Sequence, residues 1–252
     1  MTISDIFVHF TKLRYLDLST TNLPISRATF RNLFILDTFK MSNNYFKDMT
    51  AVDMFEGTRS TILRVLDLSY NFLVALPEGD LESVAYFVEE LDLSGNSLSP
   101  VEFVQDDDDN TINASLPLKP TFLSFPSLKY LGLSYNNWTM FDGSLLAPLT
   151  RLEAVDLSCN WFASITKDFF EDMPLSLKSI NLTMCLSESD DPPVVDDDAF
   201  SFLPPVKTLI LAKSSFRNWI FSRLNQMPKG SLLALENIFL QVLLNKLNKS
   251  IE

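Results

Sequence analysis

Four aspartates recur at one position of a short repeated motif, where they could do chemistry as a group. The motif reads Leu-Asp-Leu-Ser or Val-Asp-Leu-Ser, and its aspartates are Asp17, Asp67, Asp92 and Asp156. A row of carboxylates could act in general acid–base catalysis or bind a cation. The motif is also an ordinary way to write a short strand with solvated carboxylates on its outer face. We therefore expect a polar stripe and not an active site.

Other residues that carry chemistry are few. The chain has one histidine, His9, and two cysteines, Cys159 and Cys185, with no Gly-rich phosphate loop. These are too few ligands for the usual zinc sites. We expect free thiols, with Cys185 buried and Cys159 partly exposed. The sequence thus predicts no enzyme, no cofactor and no metal site.

Two acidic runs also invite a functional interpretation. One is 106–109, and the other joins 190–191 with 196–198. A calcium loop needs alternating Asp residues followed by Gly, and that spacing is absent. We interpret both runs as solvated loops held outward by charge repulsion.

A repeated pattern, L-x-x-L-x-L-x-x-N, must position all of these residues. Its first leucine-type positions are 13, 36, 63, 88, 128, 152, 177 and 206, so the usual spacing is 24 to 25 residues. One unit is 40 residues long and contains an inserted acidic loop at about 99–121. A fixed period of this kind predicts a solenoid whose units bury their apolar edges against each other.

Each position of the unit has its own physical role. The alternating leucines predict a short strand with apolar residues inward, and successive strands form one parallel sheet. Phenylalanines before each unit, at positions 7, 30, 55, 169 or 170 and 200, are expected to fill the opposite half of the core. Asparagine side chains after the strands are expected to hydrogen-bond neighbouring turns as a ladder. The predicted ladder consists of Asn44, Asn71, Asn96, Asn136 and Asn160.

The units resemble the typical 24-residue leucine-rich repeats of animal extracellular proteins, such as Toll-like receptors and chaoptin-type adhesion proteins. The segments LRVLDLSYNFL (63–73) and VEELDLSGNSL (88–98) carry the resemblance. It implies an α/β solenoid with a parallel sheet on the concave side and loops with short helical turns on the convex side. It further implies a module of a receptor or adhesion ectodomain that binds a protein or another macromolecule. A Toll-like receptor would add a membrane span and a signalling domain, and would act as a dimer.

Outward residues on or beside the predicted strands are the candidate contacts for a ligand. Tyr and Arg often anchor protein interfaces. The candidates are Tyr15, Arg64, Tyr70, Lys129, Tyr130 and Tyr135. Tyr70 and Tyr135 share one slot two units apart, where packing against the next loop is an equally good interpretation.

Four sequons support passage through the secretory pathway. Their asparagines are Asn113, Asn137, Asn181 and Asn248. Asn113 lies in the insertion, and Asn181 lies on a predicted strand, where a sugar would cover part of the concave surface.

Bulk properties limit the partners and the extent of the fold. The chain has 252 residues and a net charge of −12, which argues against nucleic-acid partners. We expect no signal peptide and no membrane span. We expect one solenoid over 1–252, with about eight full repeats and partial repeats at both ends, belonging to a longer extracellular or cell-surface protein. The region Leu232–Leu247 fits either a ninth repeat or a capping helix. An intracellular, cytoplasmic scaffold is the alternative, because cysteine caps are missing and the thiols are unpaired.

Overall fold

Each repeat unit contributes one short strand to a main sheet, and further short strands lie outside that sheet. The structure is a computed structural model, and it describes residues 6–26, 28–46, 54–55, 62–74, 81–98, 102–105, 111–114, 125–186, 194–212, 227–229, 231 and 236–239. Its strands are β1 (Tyr15–Asp17), β2 (Thr38–Lys40), β3 (Val65–Asp67), β4 (Glu90–Asp92), β5 (Glu102–Gln105), β6 (Thr111–Ala114), β7 (Tyr130–Gly132), β8 (Ala154–Asp156), β9 (Ser164–Ile165), β10 (Ser179–Asn181), β11 (Val194–Val195), β12 (Thr208–Ile210) and β13 (Asn237–Phe239).

Nine of these strands form one parallel sheet. Its order is β1-β2-β3-β4-β7-β8-β10-β12-β13, so units that follow each other in sequence also pair in space. Each pairing aligns the three residues of one strand with the three residues of the next, as in Leu66 opposite Leu91. The sheet lines the concave side, which confirms the predicted α/β solenoid.

The core lies behind the sheet and is filled from two directions. In the nine-stranded sheet from β2 to β12, the middle residue of every strand points inward, and from Phe39 to Leu209 these side chains are buried. The predicted phenylalanines fill the other half, and Phe169 and Phe170 are both buried. Their rings contact one another from turn to turn, with Phe7 and Phe30 centroids 5.1 Å apart. Apolar burial and ring contacts between adjacent units therefore hold the stack together.

The convex side carries short helical segments. One helical turn spans Glu82–Ala85, and 3₁₀ turns span Gly143–Leu146, Lys167–Phe169 and Ala199–Phe202. The Gly143–Leu146 turn begins after Asp142, whose carboxylate accepts the Ser144 N–H at 2.8 Å. β9 and β11 form a separate parallel pair.

The long unit contains more regular structure than the sequence predicted. β5 and β6 pair in an antiparallel ribbon, with Phe103 opposite Asn113 and Val104 opposite Ile112. The prediction of a loop is wrong for these two segments, because aromatic and β-branched residues favour strands. The acidic run 106–109 lies outside the described residues.

A ninth strand continues the sheet beyond the eight registered units. β13 pairs in parallel with β12, placing Ile238 opposite Leu209. This agrees with the ninth-repeat interpretation for the strand itself. Residues 240–247, where the capping helix would continue, lie outside the described residues.

Candidate binding surface

The sheet presents two columns of outward side chains, one from each end of its strands. The first column contains Tyr15, Thr38, Val65, Glu90, Tyr130, Ala154, Ser179, Thr208 and Asn237. The second contains Asp17, Lys40, Asp67, Asp92, Gly132, Asp156, Asn181 and Ile210. The predicted aspartate stripe therefore falls in one column.

Each of the four aspartates caps its own turn. The backbone N–H of the serine two residues later donates to the aspartate Oδ1, as from Ser69 to Asp67 at 3.0 Å and from Ser94 to Asp92 at 2.9 Å. The hydrogen bond from the Ser19 backbone is the main cause that lowers the pKa of Asp17. The carboxylates are thus used by the fold, and at Asp67 the Ser69 hydroxyl donates to the same Oδ1 at 2.6 Å.

The stripe is interrupted at Gly132. A Cβ at this position would lie 2.5 Å from Asp92 Oδ1 and 2.9 Å from Ser94 Oγ. The Asp92 carboxylate therefore occupies the space that a side chain on β7 would need. A catalytic array of evenly spaced carboxylates does not form across this strand.

A row of charged residues precedes the strands, which we call the charged row. It consists of Arg14, Asp37, Arg64, Glu89, Lys129, Glu153, Lys178, Lys207 and Glu236. Each residue from Asp37 onward donates its backbone N–H to the carbonyl of the residue before it in the row, at 2.7 to 2.8 Å. The signs alternate along the row except between Lys178 and Lys207, so neighbouring charges attract each other.

Side-chain ion pairs join the turns along the charged row. Arg64 binds Asp37 through two contacts, Nε to Oδ1 at 2.6 Å and a terminal nitrogen to Oδ2 at 3.0 Å. Lys129 contacts Glu89 at 2.9 Å. The hydrogen bond from Arg64 is the main cause that lowers the pKa of Asp37. Two of the predicted ligand contacts, Arg64 and Lys129, are therefore already paired within the solenoid.

The same pairing continues towards the last strands. Lys178 contacts Glu153 and Lys207 contacts Glu236, both at 2.8 Å. The row is not evident when these residues are considered one at a time in the sequence. When the repeat units are aligned on the inward residue of each strand, the residue two positions earlier carries charges of alternating sign. This pattern in the sequence could have revealed the row.

The tyrosines of the first column differ in exposure. Tyr15 is exposed, and its hydroxyl donates to Asp17 Oδ2 at 3.3 Å. Tyr130 is half-buried between Glu90 and Ala154. Burial raises the pKa of Tyr130 to about 12, and the charges of Asp92 and Asp156 add to the rise. Tyr130 is thus a neutral hydrogen-bond donor in an acidic part of the concave face.

A second row follows the strands at the opposite margin of the sheet, and we call it the exit row. It consists of Thr20, Asn43, Tyr70, Gly95, Tyr135, Cys159 and Met184, and all seven have positive φ, between 51° and 67°. Their backbone N–H groups donate to the next turn, as from Tyr135 to the Ser158 carbonyl at 3.1 Å. A left-handed residue therefore turns the chain away from the sheet in every one of these units.

Tyr70 and Tyr135 meet across the exit row. Their ring centroids are 6.4 Å apart, although a whole unit separates them. The intervening residue is Gly95, where a Cβ would lie 2.4 Å from a Tyr70 ring carbon. Both rings remain about half exposed, at 50% and 52%. Packing and exposure thus coexist, because the rings contact each other and still present a face to solvent.

The asparagine ladder lies directly behind the exit row and is buried. Asn136 Nδ2 donates to the Leu133 carbonyl of its own turn at 3.1 Å and to the Leu93 carbonyl of the preceding turn at 3.0 Å. Its Oδ1 accepts the Leu98 N–H at 3.2 Å. Equivalent bonds occur at Asn44, Asn71, Asn96 and Asn160. These hydrogen bonds join the five asparagines into a ladder, which satisfies backbone groups that the turns leave without strand partners.

The cysteines and sequons fall in different environments. Cys159 is half-buried and Cys185 is buried, as predicted, and neither is in a disulfide in the structure. Asn137 is exposed beside the exit row, and Asn181 is half-buried on β10. Asn113 lies on β6, and Asn248 lies outside the described residues.

The described residues contain neither a metal-binding cluster nor a membrane-spanning helix. In that part of the chain, no three His, Cys, Asp or Glu side chains are grouped so that they could hold a metal ion. No helix within the described ranges has the length and apolar character needed to cross a membrane.

Taken together, the parallel sheet, the asparagine ladder and the aromatic core define a leucine-rich-repeat solenoid, and this chain has the fold of leucine-rich-repeat proteins. Over 118 residues it is 30% identical to chaoptin of Drosophila melanogaster, a match that covers 46% of this chain and 8% of chaoptin. No protein-family model matches the chain.

Solved structures share the fold at low sequence identity. A structure of TLR13 in complex with ssRNA13 matches with a TM-score of 0.63 and 19% identity, covering 94% of this chain and 34% of that one. The leucine-rich repeat domain of APL1B matches with a TM-score of 0.56 and 20% identity, covering 94% of this chain and 57% of that one. The chain thus spans well under two thirds of each of these proteins.

Proposed function

We propose that this chain is a ligand-binding module of a larger extracellular or cell-surface protein, and that its ligand is a protein. The observation that carries the proposal is the Tyr70–Tyr135 pair, which stands half exposed on a margin held by buried hydrogen bonds. Rigid, amphipathic aromatic side chains lose little conformational entropy on binding. The likeness to chaoptin and TLR13 supports a receptor or adhesion context for the module.

The contacts divide into anchors and a rim. Tyr70, Tyr135 and Tyr15 are exposed and form the proposed anchors, while Tyr130 offers a hydroxyl from within the concave face. Arg64 and Lys129 belong to the rim, because a ligand would have to compete with Asp37 and Glu89 for them. Rim charges affect the association rate more than the final affinity.

The proposed ligand presents a basic surface and is not a nucleic acid. The chain carries a net charge of −12, and Asp67, Asp92 and Asp156 line the concave side. Phosphate backbones would be repelled by such a surface. TLR13 was solved with ssRNA13, so the fold itself admits RNA, and the proposal for this chain rests on its charge.

The module would act within a longer chain. The matched part of this chain covers 8% of chaoptin, and the structural match covers 34% of the TLR13 chain. We propose that dimer formation and signalling, if the longer protein has them, depend on parts outside this module.

A cell-binding experiment tests the proposal. The chain is secreted from animal cells, multimerised on streptavidin and applied to unpermeabilised cells. We expect saturable binding that protease treatment of the cells removes and ribonuclease treatment leaves intact. Tyr70→Ala with Tyr135→Ala should weaken it by roughly tenfold or more, because each anchor contributes on the order of 1–2 kcal/mol.

Tyr86 provides the matched control. It is exposed, at 62%, and lies beside the helical turn Glu82–Ala85, away from the sheet. Tyr86→Ala should bind like the unchanged protein. Equal losses from both sets of substitutions, or binding that ribonuclease removes, would overturn the proposal.

A second candidate is an intracellular scaffold, which is favoured because neither Cys159 nor Cys185 is in a disulfide. Reducing compartments keep cysteines as thiols. The two candidates differ in where the native protein is found. Surface biotinylation of intact source cells labels it in the first case and not in the second.

A further inference from the structure

We propose that Asn137 carries an N-linked glycan and that the first sugar packs on the indole of Trp161. The proposal rests on the proposed function in one respect, since the chain must enter the secretory pathway. Asn137, Trp138 and Thr139 form the sequon, and Asn137 is exposed with a φ of 59°. Trp161, from the next turn, donates its indole N–H to Asn137 Oδ1 at 3.1 Å.

The turn around the sequon holds Asn137 towards solvent. Asn136, on one side, is buried in the ladder, and Trp138, on the other, is 3% exposed and donates its indole N–H to the Leu98 carbonyl. With both neighbours fixed inward, the side chain of Asn137 points out of the solenoid. Thr139 and Met140, which follow, are exposed as well. The folded chain can therefore carry a bulky group at Asn137 without moving the core.

The sequon whose asparagine lies on the nine-stranded sheet is less suited to a glycan. Asn181 is half-buried on β10, in the second outward column. Its Oδ1 accepts both the N–H and the hydroxyl of Thr183, at 3.1 and 2.8 Å. A sugar on Asn181 would lie over the strands that flank β10, whereas a sugar on Asn137 leaves the concave face open.

Trp161 gives the sugar a platform. The indole is 47% exposed although its N–H is bonded to the Asn137 amide, so part of the ring lies beside the acceptor and faces water. The apolar C–H face of a pyranose removes such aromatic surface from water, which is favourable. A glycan replaces one hydrogen on Nδ2 and leaves Oδ1 unchanged. The hydrogen bond from Trp161 to Asn137 is therefore compatible with glycosylation.

The covalent step uses the ordinary donor of this modification, an oligosaccharide on a polyprenyl diphosphate. The Asn137 Nδ2 attacks the anomeric carbon, and a new N–C bond forms. The C–O bond to the diphosphate breaks, and the polyprenyl diphosphate leaves with the bonding electrons. One Nδ2 proton is lost in the exchange, and no oxidant or reductant is needed.

The first experiment maps occupancy on the full chain secreted from animal cells. Peptide N-glycosidase converts a glycosylated asparagine to aspartate, so peptide mass spectrometry locates each used site. We expect Asn137 to be converted and Asn181 to remain asparagine. Asn137→Gln and Thr139→Ala should each remove one glycan from the intact mass, and Asn181→Gln should remove none. An unmodified Asn137 in the secreted chain would overturn the proposal.

The second experiment tests Trp161 as the platform. Enzymatic deglycosylation should lower the melting temperature of the unchanged chain by about 2 °C, in the range for a domain of this size. The decrease should persist in Trp161→Phe and disappear in Trp161→Leu, which remains apolar and folds without the aromatic face. Thr139→Ala, which lacks the glycan and keeps Asn137 as asparagine, should also melt about 2 °C below the unchanged chain, which separates loss of the sugar from the aspartate that the glycosidase leaves. If deglycosylation lowers the melting temperature of Trp161→Leu as much as that of the unchanged chain, the first sugar does not pack on the indole.

The two proposals fail separately. If the secreted chain is glycosylated at Asn137 but the protein from its native source is not, the extracellular role fails and the acceptor site stands. If Asn137 stays unmodified even when secretion is forced, the glycan proposal fails and the extracellular role is unaffected.

Discussion

The two margins of the concave sheet are built on the same plan and held by different forces. Each is a row with one residue per turn, and in each the backbone N–H of one turn bonds a carbonyl of a neighbouring turn. The charged row carries ion pairs exposed to water, such as Arg64 with Asp37. The exit row lies over buried amides, such as Asn136. The repeat geometry supplies both rows, but burial decides which one the fold depends on.

The largest effect is expected from removing a buried amide of the asparagine ladder. Asn136→Ala removes the donor that serves the Leu93 and Leu133 carbonyls and the acceptor that serves the Leu98 N–H. Groups left unsatisfied inside the turn should reduce the free energy of unfolding by about 2–5 kcal/mol. Denaturant unfolding of glycan-free protein measures the loss.

The neighbouring Asn137→Ala is the control for the ladder. It removes the same amide at an exposed position, so its cost should be about 1 kcal/mol, mostly from placing alanine at positive φ. Equal denaturant midpoints for Asn136→Ala and Asn137→Ala would show that burial of the amide is not what makes the ladder important.

Gly95→Ala should give the next largest loss and tests the packing of the exit row. Its φ is +67°, and a Cβ would meet the Tyr70 ring at 2.4 Å. The left-handed backbone should cost about 1 kcal/mol, and displacement of the ring should add to it. In a double-mutant cycle with Tyr70→Ala, the added part should vanish. If the losses of the two single variants simply add in the double variant, the entire cost of Gly95→Ala lies in the backbone conformation.

Tyr130 lies between the two margins, and its ionisation should change the free energy of unfolding only at alkaline pH. Burial raises its pKa to about 12, above the ordinary value of 10.0. A pKa raised by folding contributes stability that is fully present below pH 10 and is lost as pH rises towards 12. Unfolding should therefore become easier over that interval in the unchanged protein and less so in Tyr130→Phe. An absorbance titration with Tyr130 ionising near pH 10 would contradict this.

The sequence predicted the fold because the features that define it are forced by burial. Leu66 and Phe30 are buried, and the amide of Asn71 must satisfy carbonyls in two turns, so these residues repeat with the period of the structure. The ribbon of β5 and β6 was missed, because it belongs to one unit and has no period to reveal it.

Less of the candidate surface could be predicted from the sequence, for a related reason. Tyr70 and Tyr135 were placed in one slot, but their contact across Gly95 depends on a ring orientation that spacing does not show. Arg64 and Lys129 were proposed as ligand contacts, although each has an acidic partner in the preceding turn. Exposed positions vary without changing the fold, so their pairing appears only when the units are aligned.

The smallest effect is expected from the charged row, and it has a defined pH dependence. The pKa of Asp37 is lowered, chiefly by the hydrogen bond from Arg64. Its contribution to stability is therefore present above the ordinary value of 3.8 and is lost as pH falls through the lowered pKa. Asp37→Asn should lower the melting temperature at neutral pH by no more than about 2 °C, and 1 M salt should remove most of that difference. The swap of Asp37→Lys with Arg64→Glu should restore the melting temperature, because the pair lies in water and attracts equally in either orientation. A large loss from Asp37→Asn that the swap does not recover would mean that the charged row, like the asparagine ladder, is held by specific geometry and not by charge alternation alone.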